Sequence, residues 1–242
     1  MKSSECPLSE EEPGDAKQLI QLSKPYVSVK DGDILSNGGS QLWLDGMLKR
    51  CGCSVIAAAD TLMYIEGRTE TPISKEAYLR VIRRIRKYFP TIPFRGIPGF
   101  ALPFFMNLLN IRRKNGFRAA WGCIPGKLTE NIRRQLEKDI PIPACVGAGF
   151  HRLFKSRLKR GLRLYRKESG RYVWEKSVRN HFFVITGMEG DMAAVSSWGE
   201  QYYIDLKELE GYSLGDGFGL FTNIIRIKRL PDLNSSGHIS EG

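Results

Sequence analysis

The sequence predicts an α+β fold in which a helical first half packs on an antiparallel sheet formed by the second half. Up to about residue 140, apolar residues recur at helical spacing. After Pro141 they alternate with polar residues in short segments, several of them bounded by glycines. This segregation of helices from strands is typical of an α+β architecture and not of a parallel βαβ one.

Local patterns define the individual elements. The segment from Cys53 to Ile65 is apolar on every side, which predicts a buried helix. Ser74 is placed to cap a second, amphipathic helix that ends before Pro90. Further helices are predicted at 103–110 and 127–138, and strands at 142–146, 162–166, 172–176, 182–186, 192–197, 201–204 and 221–227.

The length of 242 residues suits one large domain. We expect a mobile acidic N-terminus at 1–25, a single domain at 26–233 with a helical and basic insertion around 75–125, and a mobile polar tail at 234–242. No apolar run is long enough to span a membrane, and the N-terminus lacks a secretory signal pattern. Five cysteines are too few for a disulfide scaffold, so a cytoplasmic protein with reduced thiols is predicted.

The net charge of +11 is concentrated in one segment. Eight lysines and arginines, and no acid, lie between Arg152 and Lys167. Such a run could bind an acidic or anionic partner, such as a nucleic acid, or could be a solvated surface loop. Both interpretations stay open from the sequence.

Cys53 is the candidate nucleophile. It stands at the first turn of the predicted buried helix, where free N–H groups and the helix dipole lower a thiol pKa. A buried structural cysteine is the alternative. Cys51 could also be the nucleophile, or could form a redox pair or half a metal site with Cys53, but no second Cys or His pair at ligand spacing accompanies it. We therefore expect no metal and no cofactor.

His181 is the candidate base for such a thiol. Of the other two histidines, His238 lies in the polar tail and His151 opens the basic run, where neighbouring cations oppose protonation. His181 begins an apolar strand that would hold it rigidly. Gln41 is a candidate donor to the oxyanion of acyl transfer, together with the backbone N–H of Cys53.

These motifs, taken in order, resemble the papain-like cysteine peptidases. The order is Gln41, then Gly-Cys opening an apolar helix, then His-Phe-Phe-Val-Ile-Thr-Gly from His181, then Ser-Ser-Trp-Gly on the next strand. The helix opening at Cys53 and the stretch Gln-Leu-Glu-Lys-Asp-Ile-Pro-Ile-Pro at 135–143 are similar to the branch of bacteriocin-processing, double-glycine-leader peptidases. Residues 38–43, Gly-Gly-Ser-Gln-Leu-Trp, resemble uncharacterised proteins of gut clostridia. The resemblance covers roughly residues 38–66 and 128–210.

The resemblance implies a papain-like fold with Cys53 as nucleophile, His181 as base and Gln41 as oxyanion donor. The third position, Asn or Asp in the family, is Ser196 here. A serine can orient the imidazole but carries no charge to stabilise an imidazolium. Trp43 and Trp198, which belong to the same motifs, are expected to contact substrate.

Three functions follow from these observations. The leading one is a cysteine hydrolase that cleaves a peptide or amide bond through an acyl-enzyme. The second is a catalytically silent papain-like domain that binds a peptide or another partner. The third is an anion- or nucleic-acid-binding module that uses the basic run.

Overall fold

The computed structural model describes residues 19–89, 96–113, 116–124, 126–147, 161–215 and 218–230. The helices are α1 (Leu48–Cys51), α2 (Cys53–Ile65), α3 (Lys75–Arg86), α4 (Leu102–Arg113), α5 (Leu128–Leu136) and α6 (Leu206–Gly215). The strands are β1 (Leu19–Gln21), β2 (Ser28–Asp31), β3 (Ile34–Asn37), β4 (Ile73–Ser74), β5 (Phe117–Trp121), β6 (Ile142–Val146), β7 (Leu162–Glu168), β8 (Arg171–Val178), β9 (His181–Glu189), β10 (Met192–Ser197), β11 (Glu200–Asp205) and β12 (Asn223–Arg229).

A large antiparallel sheet organises the molecule, as an α+β fold requires. Its strands run in the order β5-β12-β6-β9-β10-β11-β7-β8, and β1 pairs with the far end of β9. A smaller sheet has the order β3-β2-β4. The alternating apolar pattern predicted β6 and β10 with the bounds that the structure has.

Helices cover both faces of the large sheet. On β9, Phe182 and Val184 join a core cluster that includes residues of α2, α3 and α4. Phe183 and Ile185 point the other way, into a cluster with α5 and α6. Successive strand residues alternate between faces, so β9 is buried on both sides.

The structure adds two details to the expected chain organisation. Leu19–Gln21, near the end of the segment expected to be mobile, forms β1 and pairs with β9. The segment 75–125, expected as an insertion, supplies β5, which pairs with β12 along the large sheet. The tail 234–242 and residues 1–18 lie outside the described residues. No helix within the described ranges is long and apolar enough to cross a membrane.

Candidate active site

Helix α2 places Cys53 beside the start of β9. The helix follows α1 directly, with Gly52 between them, and a Cβ on Gly52 would lie 2.5 Å from the Leu48 carbonyl oxygen. Glycine therefore permits the close turn that starts α2 at Cys53. The backbone N–H of Phe182, the second residue of β9, faces the Cys53 sulfur.

Cys53, His181 and Gln41, which are far apart in sequence, line one small cavity. Four residues of α2 contribute to its wall at one-face helical spacing: Cys53, Ile56, Ala57 and Asp60. The cavity measures about 10 Å³, which is near the minimum volume for a single water. The site is therefore closed to a substrate in this conformation.

A hydrogen bond and an aromatic stack hold the His181 ring. Its Nε2 shares a hydrogen bond of 2.7 Å with the Ser197 hydroxyl. Its face stacks on Trp198 with ring centroids 4.2 Å apart, and the Lys176 ammonium lies 4.5 Å from the Trp198 ring centre. By strand alternation His181 belongs to the sheet face opposite α2, and it borders the cavity from the strand's first position.

Ser197, and not the predicted Ser196, is the hydrogen-bonding partner of His181. The Ser196 hydroxyl donates instead to the Asn37 carbonyl at 2.7 Å. The two serines are adjacent on β10, so they point to opposite faces. A register shift between Ala194 and Val195 in the pairing with β9 sets which of them meets the histidine.

Burial keeps the thiol and the imidazole neutral. It raises the pKa of Cys53 to about 11, an effect that the N–H groups of Phe182 and Ser54 oppose only in part. It also lowers the pKa of His181 to about 3, with a smaller contribution from the Lys176 cation. At pH 7 the pair is therefore a thiol and a neutral imidazole, and not the thiolate–imidazolium pair that a helix N-terminus alone would favour.

Gln41 lies in a short 3₁₀ turn capped by Ser40. Its Nε2 donates to the Lys49 carbonyl at 3.2 Å, and its buried Oε1 has no described partner. The second hydrogen of Nε2 has no described acceptor, and Gln41 lines the cavity.

Trp198 and Trp43 are placed differently from each other. Trp198 borders the cavity, and it has φ 53° in the two-residue turn that joins β10 to β11. Glycine and asparagine are the usual residues there, so a tryptophan carries strain that holds its ring on His181. Trp43 does not border this cavity and packs edge-on to Tyr78 at 6.0 Å.

Asp60 anchors the loop that carries Gln41, a role that the sequence did not predict. Its Oδ1 accepts the Tyr78 hydroxyl at 2.6 Å and its Oδ2 accepts the Gly39 N–H at 2.9 Å. Burial raises the pKa of Asp60 to about 7. The signal was visible, because Asp60 is the one charged residue between Cys53 and Ile65.

Cys51 does not line the cavity that Cys53 and His181 share. It is buried, and its thiol donates to the Met47 carbonyl at 3.1 Å. Across the described ranges, no group of three or more His, Cys, Asp or Glu side chains is arranged to hold a metal.

The basic run is only partly described. Arg163 pairs with Glu208 at 3.1 Å, Lys167 pairs with Glu189 at 2.6 Å, and Arg166 pairs with both Glu175 and Glu200. Each of these three described cations is therefore paired with an acid of the protein. Residues 152–160, including Arg152, lie outside the described residues.

Comparisons with known proteins add no relatives. No protein-family model matches the chain, and neither the curated proteins nor the solved structures give a significant match.

Proposed function

We propose that this protein is a cysteine hydrolase of papain-like fold that cleaves a peptide or amide bond through an acyl-enzyme. The observation that carries the proposal is the convergence of Cys53, His181 and Gln41 on one cavity at the N-terminus of α2. A nucleophile, a base and an oxyanion donor are the groups that acyl transfer requires.

The neutral state of the pair determines the order of proton transfers. The Cys53 thiol is protonated at rest, so His181 must take its proton as the sulfur attacks the carbonyl carbon. The C–N bond then breaks, and the imidazolium returns the proton to the leaving amine. Ser197 holds the ring, while Gln41 Nε2 and backbone N–H groups stabilise the oxyanion. Water then attacks the thioester with His181 as base, the C–S bond breaks, and the imidazolium returns the proton to the Cys53 thiolate. No cofactor takes part in this scheme.

An activated ester tests the proposal without knowledge of the natural substrate. With p-nitrophenyl acetate, the wild-type chain should release p-nitrophenolate and become acetylated at Cys53. Cys53→Ala should abolish the acetylation, and His181→Ala should slow it by about 10²-fold or more. Cys51→Ala is the matched control and should keep the rate.

The pH profile sharpens the same experiment. Because the pKa of His181 is about 3, its basic form is fully populated from pH 5 to 8 and the rate should be flat there. An acetylation rate that is unchanged in Cys53→Ala would contradict the proposal.

A catalytically silent binding domain is the second candidate. The closed cavity, and the placement of His181 on the sheet face opposite α2, favour it. An intact, folded chain that shows no Cys53-dependent acetylation at any pH between 5 and 9 would support this alternative.

A further inference from the structure

An open basin lies at the same end of the large sheet as His181. The register pairs Phe182 of β9 with Cys145 of β6, and Cys145 with Asn223 of β12. Two strand spacings therefore separate Asn223 from Phe182, a distance of roughly 10 Å. The basin has a volume of about 820 Å³, which is in the size range of small-molecule sites.

Among the described residues that line the basin there are three cations and no acid. Lys127, Arg134 and Arg226 contribute to its wall. Arg134 pairs with Glu130, whereas no described acid pairs with Lys127 or Arg226. Glu210 is near enough to raise the pKa of Cys123, and its carboxylate accepts the Leu128 N–H and the Thr129 hydroxyl, but it does not line the basin. The described wall of the basin therefore carries more positive than negative charge.

Exposed apolar side chains border the same cations. Ile124 is 71% exposed, Leu220 is 49% exposed and Phe218 is 81% exposed. Phe218 also has φ 53°, a conformation that costs a non-glycine residue of the order of 1–3 kcal/mol. Strain that presents an aromatic ring to solvent is a feature of binding sites more than of a core.

We propose that this basin binds an organic carboxylate attached to an apolar body. Lys127 and Arg226 provide charge-assisted hydrogen bonds for the carboxylate. Ile124, Phe218 and Leu220 provide the apolar contacts. Two sources offer this chemistry: the C-terminus of a peptide with apolar last residues, and a free acyl acid.

Calorimetric titration tests the proposal independently of catalysis, because the full-length Cys53→Ala variant removes turnover. N-acetyl-Phe-Leu is titrated as the free acid and as the C-terminal amide, and octanoate is compared with octanol. One or both acids should bind about 10-fold or more tightly than their neutral partners. A response to the peptide acid alone identifies a peptide C-terminus as the source, and a response to octanoate alone identifies an acyl acid.

Charge variants locate the site. Arg226→Gln should remove most of the preference for the acid, and Lys127→Gln should reduce it. Lys228→Gln is the matched control, because Lys228 is exposed on the same strand and does not line the basin; it should leave the affinity within about twofold. Equal binding of acids and neutral partners, absence of binding by all four probes, or equal losses in Arg226→Gln and Lys228→Gln would overturn the proposal.

Discussion

Two buried polar clusters, one around His181 and one around Asp60, border the same cavity and are held by different interactions. A hydrogen bond shared with the Ser197 hydroxyl and the stacked Trp198, both neutral, hold the imidazole of His181. Around Asp60 a carboxyl receives two strong donors, the Gly39 N–H and the Tyr78 hydroxyl. The first cluster holds the base of the proposed reaction, whereas the second fixes the loop that carries Gln41.

The clusters also respond to pH in opposite directions. The pKa of His181 is about 3 in the folded state and about 6.5 in an unfolded chain. The unfolded chain therefore takes up the proton first, and the free energy of unfolding falls as pH drops below about 6.5. The pKa of Asp60 is about 7 in the folded state and about 4 in an unfolded chain. The protonated carboxyl therefore stabilises the fold, and this stabilisation is lost as pH rises from about 4 to 7. Variants of the Asp60 cluster should therefore change stability, and variants of the His181 cluster should change the rate of the proposed reaction.

The largest expected effect is on the pH dependence of stability. Between about pH 4 and 7 folded Asp60 binds one proton more than the unfolded chain, which lowers the unfolding free energy by up to about 1.4 kcal/mol per pH unit. Asp60→Asn should lack this decline. Urea unfolding of wild type and of Asp60→Asn at several pH values measures the difference in their free energies of unfolding. The contribution of His181 is the same in both proteins and cancels in this difference. Asp191→Asn, a change at an exposed carboxylate, should keep the wild-type slope. A parallel pH dependence in wild type and Asp60→Asn would contradict the assignment.

The second expected effect is a loss of stability caused by a steric clash at Gly39, beside the Tyr78–Asp60 pair. A Cβ on Gly39 would lie 2.0 Å from the Tyr78 hydroxyl oxygen, which shows why residues 38–43 begin with glycines. Gly39→Ala should destabilise the fold by about 2 kcal/mol or more, because the Tyr78–Asp60 pair must move. Gly211→Ala is the control: it lies in α6 with open space around it and should be neutral or slightly stabilising. Thermal unfolding measures both. A stable Gly39→Ala variant would show that the loop is not anchored there.

The sequence pattern predicted helices and strands better than it predicted which side chains hydrogen-bond to each other. Helix α2 and strand β6 have the predicted bounds because their apolar runs are long and sharply punctuated. Helix α6 was missed because Gly211 interrupts its pattern and its apolar residues are few. Strand β5 was missed because its five residues, Phe-Arg-Ala-Ala-Trp, show little β-branched character.

The choice between Ser196 and Ser197 could not be read from local sequence. It depends on the register shift between Ala194 and Val195 relative to β9, which is a property of two strands together. The neutral state of Cys53 and His181 was missed for a related reason. Position at a helix start is visible in sequence, whereas the desolvation that outweighs it comes from residues distant in the chain.

The smallest expected effect is the difference between substitutions of Ser197 and Ser196, which tests the comparison of the His181 and Asp60 clusters directly. Ser197→Ala removes the hydrogen bond to Nε2, so the His181 ring loses its fixed orientation. The rate of p-nitrophenyl acetate cleavage should fall about fivefold with little change in KM, since a net hydrogen bond is worth about 1 kcal/mol. Ser196→Ala removes only the bond to the Asn37 carbonyl. It should lower the unfolding free energy by about 1 kcal/mol and leave the rate within about twofold. Ser197→Thr keeps the hydroxyl and should restore part of the activity, which a purely structural role would not explain. If Ser196→Ala instead slowed the reaction while Ser197→Ala did not, the catalytic and anchoring assignments of the two clusters would be reversed.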